Sequence, residues 1–337
     1  MTTTQLLAEG KTKVIQATDT PGEVLVTFKD DATAFNAAKH AVVAGKGKLN
    51  AQISRILFDM LNSHNIPTCY RRPGQEENEL IYTALTMIPL EVVIRNVALG
   101  SILKRYPLTE GQRFEKPVLE LFFKSDTDPL INDEMVETLG LIPPTTTLET
   151  LKRITYQINE LFVQYFEACG ILCADFKLEF GVDADGHLLL GDELSPDNFR
   201  FRDLKTGQVL DKDVFRLDLA DLATTYEDLL SRLKPDAPAT RPAARTTYYG
   251  EVIVHSRKNI LNPESQTILK SLKNLGFNSV TALEAGKRFA VTLETATMID
   301  AEVQLKAMAE RLLANTVIED YTYSLSLTPP VQDPAHS

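Results

Sequence analysis

Cysteine is scarce in this chain: Cys69, Cys169 and Cys173 are all that its 337 residues contain. Three thiols build no disulfide framework, which points to a reducing cytoplasm. The Cys169/Cys173 pair has no second pair or histidine cluster beside it, so the two are read as small buried residues, not metal ligands. No apolar run approaches the roughly 20 residues that span a bilayer. The opening MTTTQLLAEGKTK lacks the charged-then-apolar layout of a secretory leader. Positive charge is in deficit too. A net charge of -11 argues against a nucleic-acid surface or a face for anionic membrane, without excluding a local basic pocket for phosphates.

What the chain does have is a core-forming composition, 44% hydrophobic, over a length that allows two or three domains. PDAPATRPAART (235–246) places three prolines among alanines and threonines, which holds neither helix nor central strand and reads as an interdomain linker. In the front segment, KVIQAT (13–18) and EVLVTFKD (23–30) flank the turn signal DTPG as a hairpin. From about Lys48, Leu49, Ile53, Ile56, Leu57 and Met60 share one helical face. LIYTALTMIPLEVVIRNVA is strand-like, LETLKRITYQINELFVQYFEACG is a long amphipathic helix stopped at Gly170, and a last helix falls near LDLADLATTYEDLLSRL. Strands and helices without strict alternation suggest an α+β or loosely α/β fold. In the tail, a strand, a helix with Asn262 as N-cap, Pro263 in its first turn and Gly276 as stop, two strands in NSVTALEAGKRFAVTLE, a helix and a strand give β-α-β-β-α-β. That is the ferredoxin-like layout. Clustered histidine, cysteine or paired acids are missing from it, so interaction is its expected role.

The densest chemistry lies in ADFKLEFGVDADGHLLLGDELSPDNFR (174–200). A two-residue turn at Asp185-Gly186 pairs Ala184 with His187, Val182 with Leu189 and Glu179 with Asp192. Facing carboxylates repel unless a cation sits between them. Hard oxygen donors favour Mg²⁺, which takes one or two carboxylates and fills its shell with water and phosphate oxygens. The alternative is a solvated strand face neutralised by Lys177. Alternation puts Asp175, Lys177 and Glu179 on one face and Phe176, Leu178 and Phe180 on the other.

Two further clusters point toward anions. LAEGKTK sets Gly10, Lys11 and Lys13 at a strand entry; it is no Walker loop, but a glycine admits phosphate to the backbone and two lysines alternate beyond it. GKGK (45–48) is a similar signal, or a solvated helix start. In VVIRNVALGSILKRY, Arg95, Ser101 and Arg105 can together hold a phosphate or carboxylate, with arginine supplying the bidentate fork; SPDNFR adds Ser195 and Arg200. Ordinary surface ion pairing is the other reading of these charges.

EGKTK, FKDDATAFN, VIRNVALGS, KLEFG, GDELSPDNFR and DKDVFR, in that order, resemble the motifs of the phosphoribosylaminoimidazole-succinocarboxamide synthase (SAICAR synthetase) family over residues 5–234. The resemblance implies a small antiparallel N-terminal lobe over a larger α/β lobe, with ATP in the cleft. It implies ATP- and Mg²⁺-dependent ligation of 5-amino-1-(5-phosphoribosyl)imidazole-4-carboxylate (CAIR) with L-aspartate, in de novo purine synthesis. The tail motifs NPESQTILKSLKNLGF, AGKRFAVTLE and LLANTVIEDYTY resemble the small S subunit of phosphoribosylformylglycinamidine (FGAM) synthase, a non-catalytic dimeric bridge between a synthetase and a glutaminase subunit. The expected organisation is therefore ligase (1–234), linker (235–246), S-subunit-like domain (247–326) and C-terminal tail (327–337), in a chain that self-associates.

On that footing Gly10, Lys11 and Lys13 meet the ATP phosphates, Glu179 and Asp192 hold Mg²⁺, and Lys177 lies beside the transferred group. Arg95, Ser101 and Arg200 grip CAIR, with Ser195, Arg105, Lys212 and Arg216 as further anion contacts. Asp175 accepts a hydrogen bond from the imidazole amino group or the attacking amine, and Lys124, with Asp126 and Asp128 near it, either faces aspartate or belongs to an ordinary charged loop. A non-catalytic scaffold and a kinase-like phosphotransferase are the rival readings.

Overall fold

The computed structural model describes residues 5–34, 39–233, 246–257, 260–295 and 298–326. The chain forms two compact units, Met1–Ala239 and Thr240–Ser337. The proposed linker, apart from Thr246, and the C-terminal tail lie outside the described residues.

The front unit opens with β1 (Leu6–Glu9), β2 (Lys13–Ala17) and β3 (Glu23–Phe28), followed by a separate hairpin, β4 (Asp31–Ala34) and β5 (Lys39–Val42). Helix α1 (Lys46–Ser63) comes next, then β6 (Tyr70–Pro73) and β7 (Glu79–Thr83). The first sheet is antiparallel, in the order β1-β2-β3-β7-β6. Alternation in β3 sends Val26 and Phe28 inward, and α1 packs on the sheet with Ile53, Leu57 and Leu61 buried, while Leu49 at its start joins Ala32, Val214, Leu222 and Tyr226. Phe58 stacks on Tyr70 and meets Tyr82 edge-on.

The strand-like run from Leu80 onward is two strands, not one. It breaks after Thr83, where the Ala84 N–H donates to the Gly22 carbonyl, and resumes as β8 (Thr86–Val97) in a second sheet. There follow α2 (Ile102–Arg105), β9 (Arg113–Phe123), β10 (Leu130–Ile131), α3 (Asp133–Thr138), α4 (Leu148–Ala168), β11 (Ile171–Val182), β12 (Leu188–Leu190), β13 (Phe199–Asp203), α5 (Asp213–Arg216) and α6 (Leu222–Arg232). The second sheet runs β10-β9-β8-β11-β12, with β13 also on β11, and every pairing is antiparallel. Thr147 caps α4 by accepting the Thr150 N–H, and Gly170, at φ +74°, ends it in the left-handed conformation that glycine enters freely. Under the sheet, Phe162 and Phe166 of α4 pack against Phe176, Phe199 and Phe201. With that face of β11 committed to aromatic packing, Asp175, Lys177 and Glu179 are left to the opposite face.

The tail unit comprises β14 (Thr246–Ser256), α7 (Pro263–Asn274), β15 (Gly286–Thr295), α8 (Met298–Met308) running into a π-turn at Ala309–Leu313, and β16 (Glu319–Ser326). Asn262 caps α7, accepting from the N–H groups of Glu264 and Ser265. The sheet order is β15-β14-β16, and α8 covers one face through Ala301 and Leu305, joined by Ala309 just beyond it. The α+β class holds, with one correction. Only the second of the two strands expected in NSVTALEAGKRFAVTLE forms, giving β-α-β-α-β among the described residues. The N–H of Ala285 donates to Ser265 Oγ and its carbonyl accepts from Asn262 Nδ2, so the side chains at the α7 N-terminus satisfy the backbone that a strand ladder would otherwise use.

Candidate functional site

Between the first sheet and the exposed face of the second, lysines and carboxylates interlock. β11 sets Lys177 and Glu179 two residues apart on one face, with Lys177 Nζ 2.6 Å from Glu179 Oε1 and 3.8 Å from Asp192 Oδ2. Lys124, at the end of β9, donates to Glu179 Oε2. Lys13, at the start of β2, donates to Asp192 and lies 3.3 Å from Glu193 Oε1, which also accepts the Thr12 hydroxyl at 3.0 Å. The turn between β1 and β2 is thereby tied to the loop after β12. Burial works against the Lys13 and Lys177 ammoniums, yet the charges of Asp192, Glu193, Glu179 and Glu91 outweigh it and hold both pKa values above the ordinary lysine range. Asp192 is buried as well, which alone would raise its pKa; Lys13 and Lys177 reverse that and hold it well below the usual range.

The hairpin register differs from the sequence expectation. Val182 pairs with Leu188 and Phe180 with Leu190, because the turn is one residue longer, closed by the Asp183 N–H donating to the His187 carbonyl with Gly186 at φ +82°. Glu179 therefore does not face Asp192; its carbonyl accepts the Gly191 N–H. Asp192, at φ +58°, leaves the strand in a left-handed kink, and Lys177 joins the two carboxylates from the side. In register opposite Glu179 stands Glu91 of β8.

Beside this cluster opens a cavity of about 360 Å³ walled by Glu91, Arg95, Ser101, Asp175, Lys177 and Arg200, with Phe122, Asp197, Asn198 and Arg216 among its other residues. Arg95 is 2% exposed; it donates to Glu120 at 2.6 Å, Asp175 at 2.9 Å and the Ser101 hydroxyl at 3.3 Å. Arg200 reaches both oxygens of Asp175 at 3.0 Å, while its Nε is buried without a hydrogen-bond partner. Burial raises the Asp175 pKa and the two arginines offset only part of that. Gly100, at φ +67°, admits the Arg200 guanidinium: a Cβ there would lie 2.5 Å from Arg200 Cζ.

Behind the cavity wall, Asp197 binds Lys46 at 2.8 Å, Lys212 at 3.3 Å and the Tyr226 hydroxyl at 2.6 Å. Lys46, the first residue of α1, is wholly buried. The GKGK stretch is thus neither a solvated helix start nor an open phosphate loop at that lysine. The helix start is held by Asp30, which accepts the Gly45 and Gly47 N–H groups.

The sequence-derived site residues separate by place. Arg95, Ser101, Asp175, Lys177, Arg200 and Arg216 line the cavity, while Lys13, Lys124, Glu179 and Asp192 form the adjoining charged cluster. Gly10 closes the turn by donating its N–H to the Lys13 carbonyl, and Lys11 is exposed beside it. Ser195 is buried, its hydroxyl accepting the Asp197 N–H; Arg105 pairs with Glu120; Lys212 stands on Asp197. These three stand outside the cavity lining. Glu91, Glu120, Glu193 and Asp197 were not singled out from the sequence, and Lys46 entered only as part of GKGK. Glu193 and Asp197 sat inside the charged stretch, and Glu91 shares the alternating face of Arg95.

Arginines and lysines interleaved with buried carboxylates present the chemistry that can meet anionic groups and cations together. A SAICAR synthetase family model matches residues 6–233, and the chain belongs to that family of purine-biosynthetic ligases. The phosphoribosylaminoimidazole-succinocarboxamide synthase of Thermococcus kodakarensis is 46% identical over 235 residues, covering 69% of this chain and 98% of that one. Its Bacillus subtilis counterpart is 43% identical over 231 residues, 68% and 95% of the two chains. A solved SAICAR synthetase in complex with ADP superposes with a TM-score of 0.65 at 43% identity, covering 68% of this chain and 98% of that one. The Ehrlichia chaffeensis enzyme gives 0.65 at 37% identity, with the same coverage. A second family model, FGAM synthase, matches residues 250–327, so the chain is a fusion of two purine-pathway segments.

Proposed function

We propose that residues 1–234 catalyse the ATP-dependent joining of CAIR to L-aspartate, yielding SAICAR, ADP and phosphate in the cytoplasm. The observation that carries this reading is the placement of the lysine-laced acid cluster directly beside the arginine-walled cavity. Amide formation from a carboxylate needs its oxygen turned into a leaving group. Transfer of the γ-phosphoryl to the CAIR carboxylate does this, and the aspartate amine then displaces phosphate. Such chemistry asks for positioning and charge neutralisation more than for a protein nucleophile.

Gly10, Lys11 and Lys13 take the nucleotide phosphates, in keeping with the ADP-bound relative. Lys177 steadies the transferred group. Arg95, Ser101, Arg200 and Arg216 hold CAIR, Asp175 accepts from its amino group while orienting both arginines, and Ser195, Arg105 and Lys212 support that wall. Lys124 serves the aspartate side. Glu179 and Asp192 fit a divalent cation. The carboxylates of Glu91, Glu179, Asp192 and Glu193 outnumber the ammoniums of Lys13, Lys124 and Lys177 among them, and Glu193 Oε2 is buried without a partner. Hard oxygen donors favour magnesium, which would neutralise nucleotide phosphate oxygens there.

Incubating the full chain with CAIR, aspartate and MgATP tests the reading. ADP release that needs both acceptors, together with an amide product, supports it. A phosphorylated acceptor without amide would indicate a kinase-like enzyme, and no turnover a scaffold. For residues 247–326 the match to FGAM synthase favours a bridging, self-associating subunit. Co-purification with the synthetase and glutaminase subunits of FGAM synthase is the test.

A further inference from the structure

Resting on that ligase reading, we infer that Glu91 receives the α-ammonium of the amino-acid substrate. A cavity built for anions still needs one acceptor for the substrate ammonium, which sheds a proton before its nitrogen attacks, and three carboxylates line this one: Glu91, Asp175 and Asp197. Asp175 accepts from Arg95 and Arg200 and, on the ligase reading, from the CAIR amino group, so its two oxygens are already committed. Asp197 gives one oxygen to Tyr226 and the other to Lys46 and Lys212. Glu91 is different. Its Oε1 meets Lys177 at 3.1 Å, and its Oε2 has no hydrogen-bond partner among the described residues. Its side chain is 21% exposed, against 4% for Asp175 and 3% for Asp197, so it alone of the three presents a substantially open oxygen.

Register strengthens the assignment. Glu91 lies directly opposite Glu179, a like-charge pair that is unfavourable on one sheet face unless a cation bridges it. Lys177 bridges it now, at 3.1 and 2.6 Å. When Lys177 is drawn to a phosphoryl group, Glu91 loses its only charged partner among the described residues, and an incoming ammonium replaces it. The nucleotide thus prepares the amine subsite, so the two ligands bind with positive coupling.

The test measures steady-state kinetics of the full chain carrying Glu91→Gln, with Glu91→Asp as a second variant that keeps the charge. The glutamine variant is expected to raise KM for aspartate about 10-fold or more while KM for ATP and for CAIR stays within about 2-fold; the aspartate variant recovers part of that loss. Aspartate binding to the wild type should tighten several-fold with a non-hydrolysable ATP analogue present. Wild-type chain that makes no amide would overturn the ligase reading itself. An active wild type whose Glu91→Gln variant keeps its KM for aspartate, or shifts chiefly in magnesium requirement, would overturn only the inference.

Discussion

Lys177 Nζ lies 2.6 Å from Glu179 Oε1, and the same ammonium stands 3.8 Å from Asp192. It is the link between two acids that the hairpin does not set face to face. With Lys13, this ammonium outweighs the burial of Asp192 and holds that carboxylate well below its ordinary pKa.

Removing one of these acids separates the metal role from the structural one. Glu179→Gln keeps the shape and leaves Lys177 with Asp192 and Glu91 as partners, so stability should fall by no more than about 1–3 kcal/mol. Turnover should drop by roughly 100-fold or more, as for loss of one preorganised electrostatic contact. ADP release across a magnesium titration, beside a urea melt, measures both; near-normal turnover at low magnesium contradicts the role. Asp192→Asn should behave alike.

How much of this could be read beforehand follows from the range of the forces. Period-two and period-3.6 patterns gave β3, β11, α1 and α4, because each buries a face set by its own residues, whereas α7 was legible from its end signals, Asn262, Pro263 and Gly276. The Glu179–Asp192 register missed by one position, since it depended on a turn whose extra residue is stabilised by the Asp183 carboxylate accepting the Asp185 and His187 N–H groups. Lys46 looked solvated because its partner, Asp197, lies 151 residues away. The strand expected within Asn278–Glu284 does not form, and Ala285 after it is tied instead to Asn262 and Ser265 at the start of α7.

The buried Lys46–Asp197 pair makes a sharp stability forecast. Lys46→Met removes a charge with no solvent access and leaves Asp197 with Lys212 and Tyr226. Losing one member of a buried pair costs about 3–5 kcal/mol. Denaturant unfolding of the chain should show this in the front unit's transition, and a change below about 1 kcal/mol would mean that Lys212 compensates.

Gly100 is an indirect handle on the cavity. Alanine there meets Arg200 Cζ at 2.5 Å and must hold φ +67°, yet the atom it strikes is the far end of a side chain that can swing. The fold should survive with roughly 1–2 kcal/mol of strain, while the guanidinium leaves Asp175. We expect KM for CAIR to rise about 10-fold or more with nucleotide affinity unchanged. Equal loss of both affinities would show a collapsed cleft instead.

Asp211 gives the pH dependence. Its carboxylate is wholly buried and accepts the Phe201 N–H and the Asp213 N–H at 2.7 Å, and Arg202 at 2.8 Å. Burial first, and then the Asp213 charge, push its pKa up to about 6 from an ordinary 3.8. Because the folded chain binds this proton more tightly than the unfolded one, the stabilisation is complete below pH 3.8 and is lost as pH rises through about 6. A shift of this size corresponds to an effect on the order of 3 kcal/mol. Asp211→Asn lacks the group, so the wild type should lose stability relative to the variant between about pH 4 and pH 7, in paired urea titrations. Parallel curves would mean that Arg202 offsets the burial of Asp211 and leaves its pKa the same in the folded and unfolded chain.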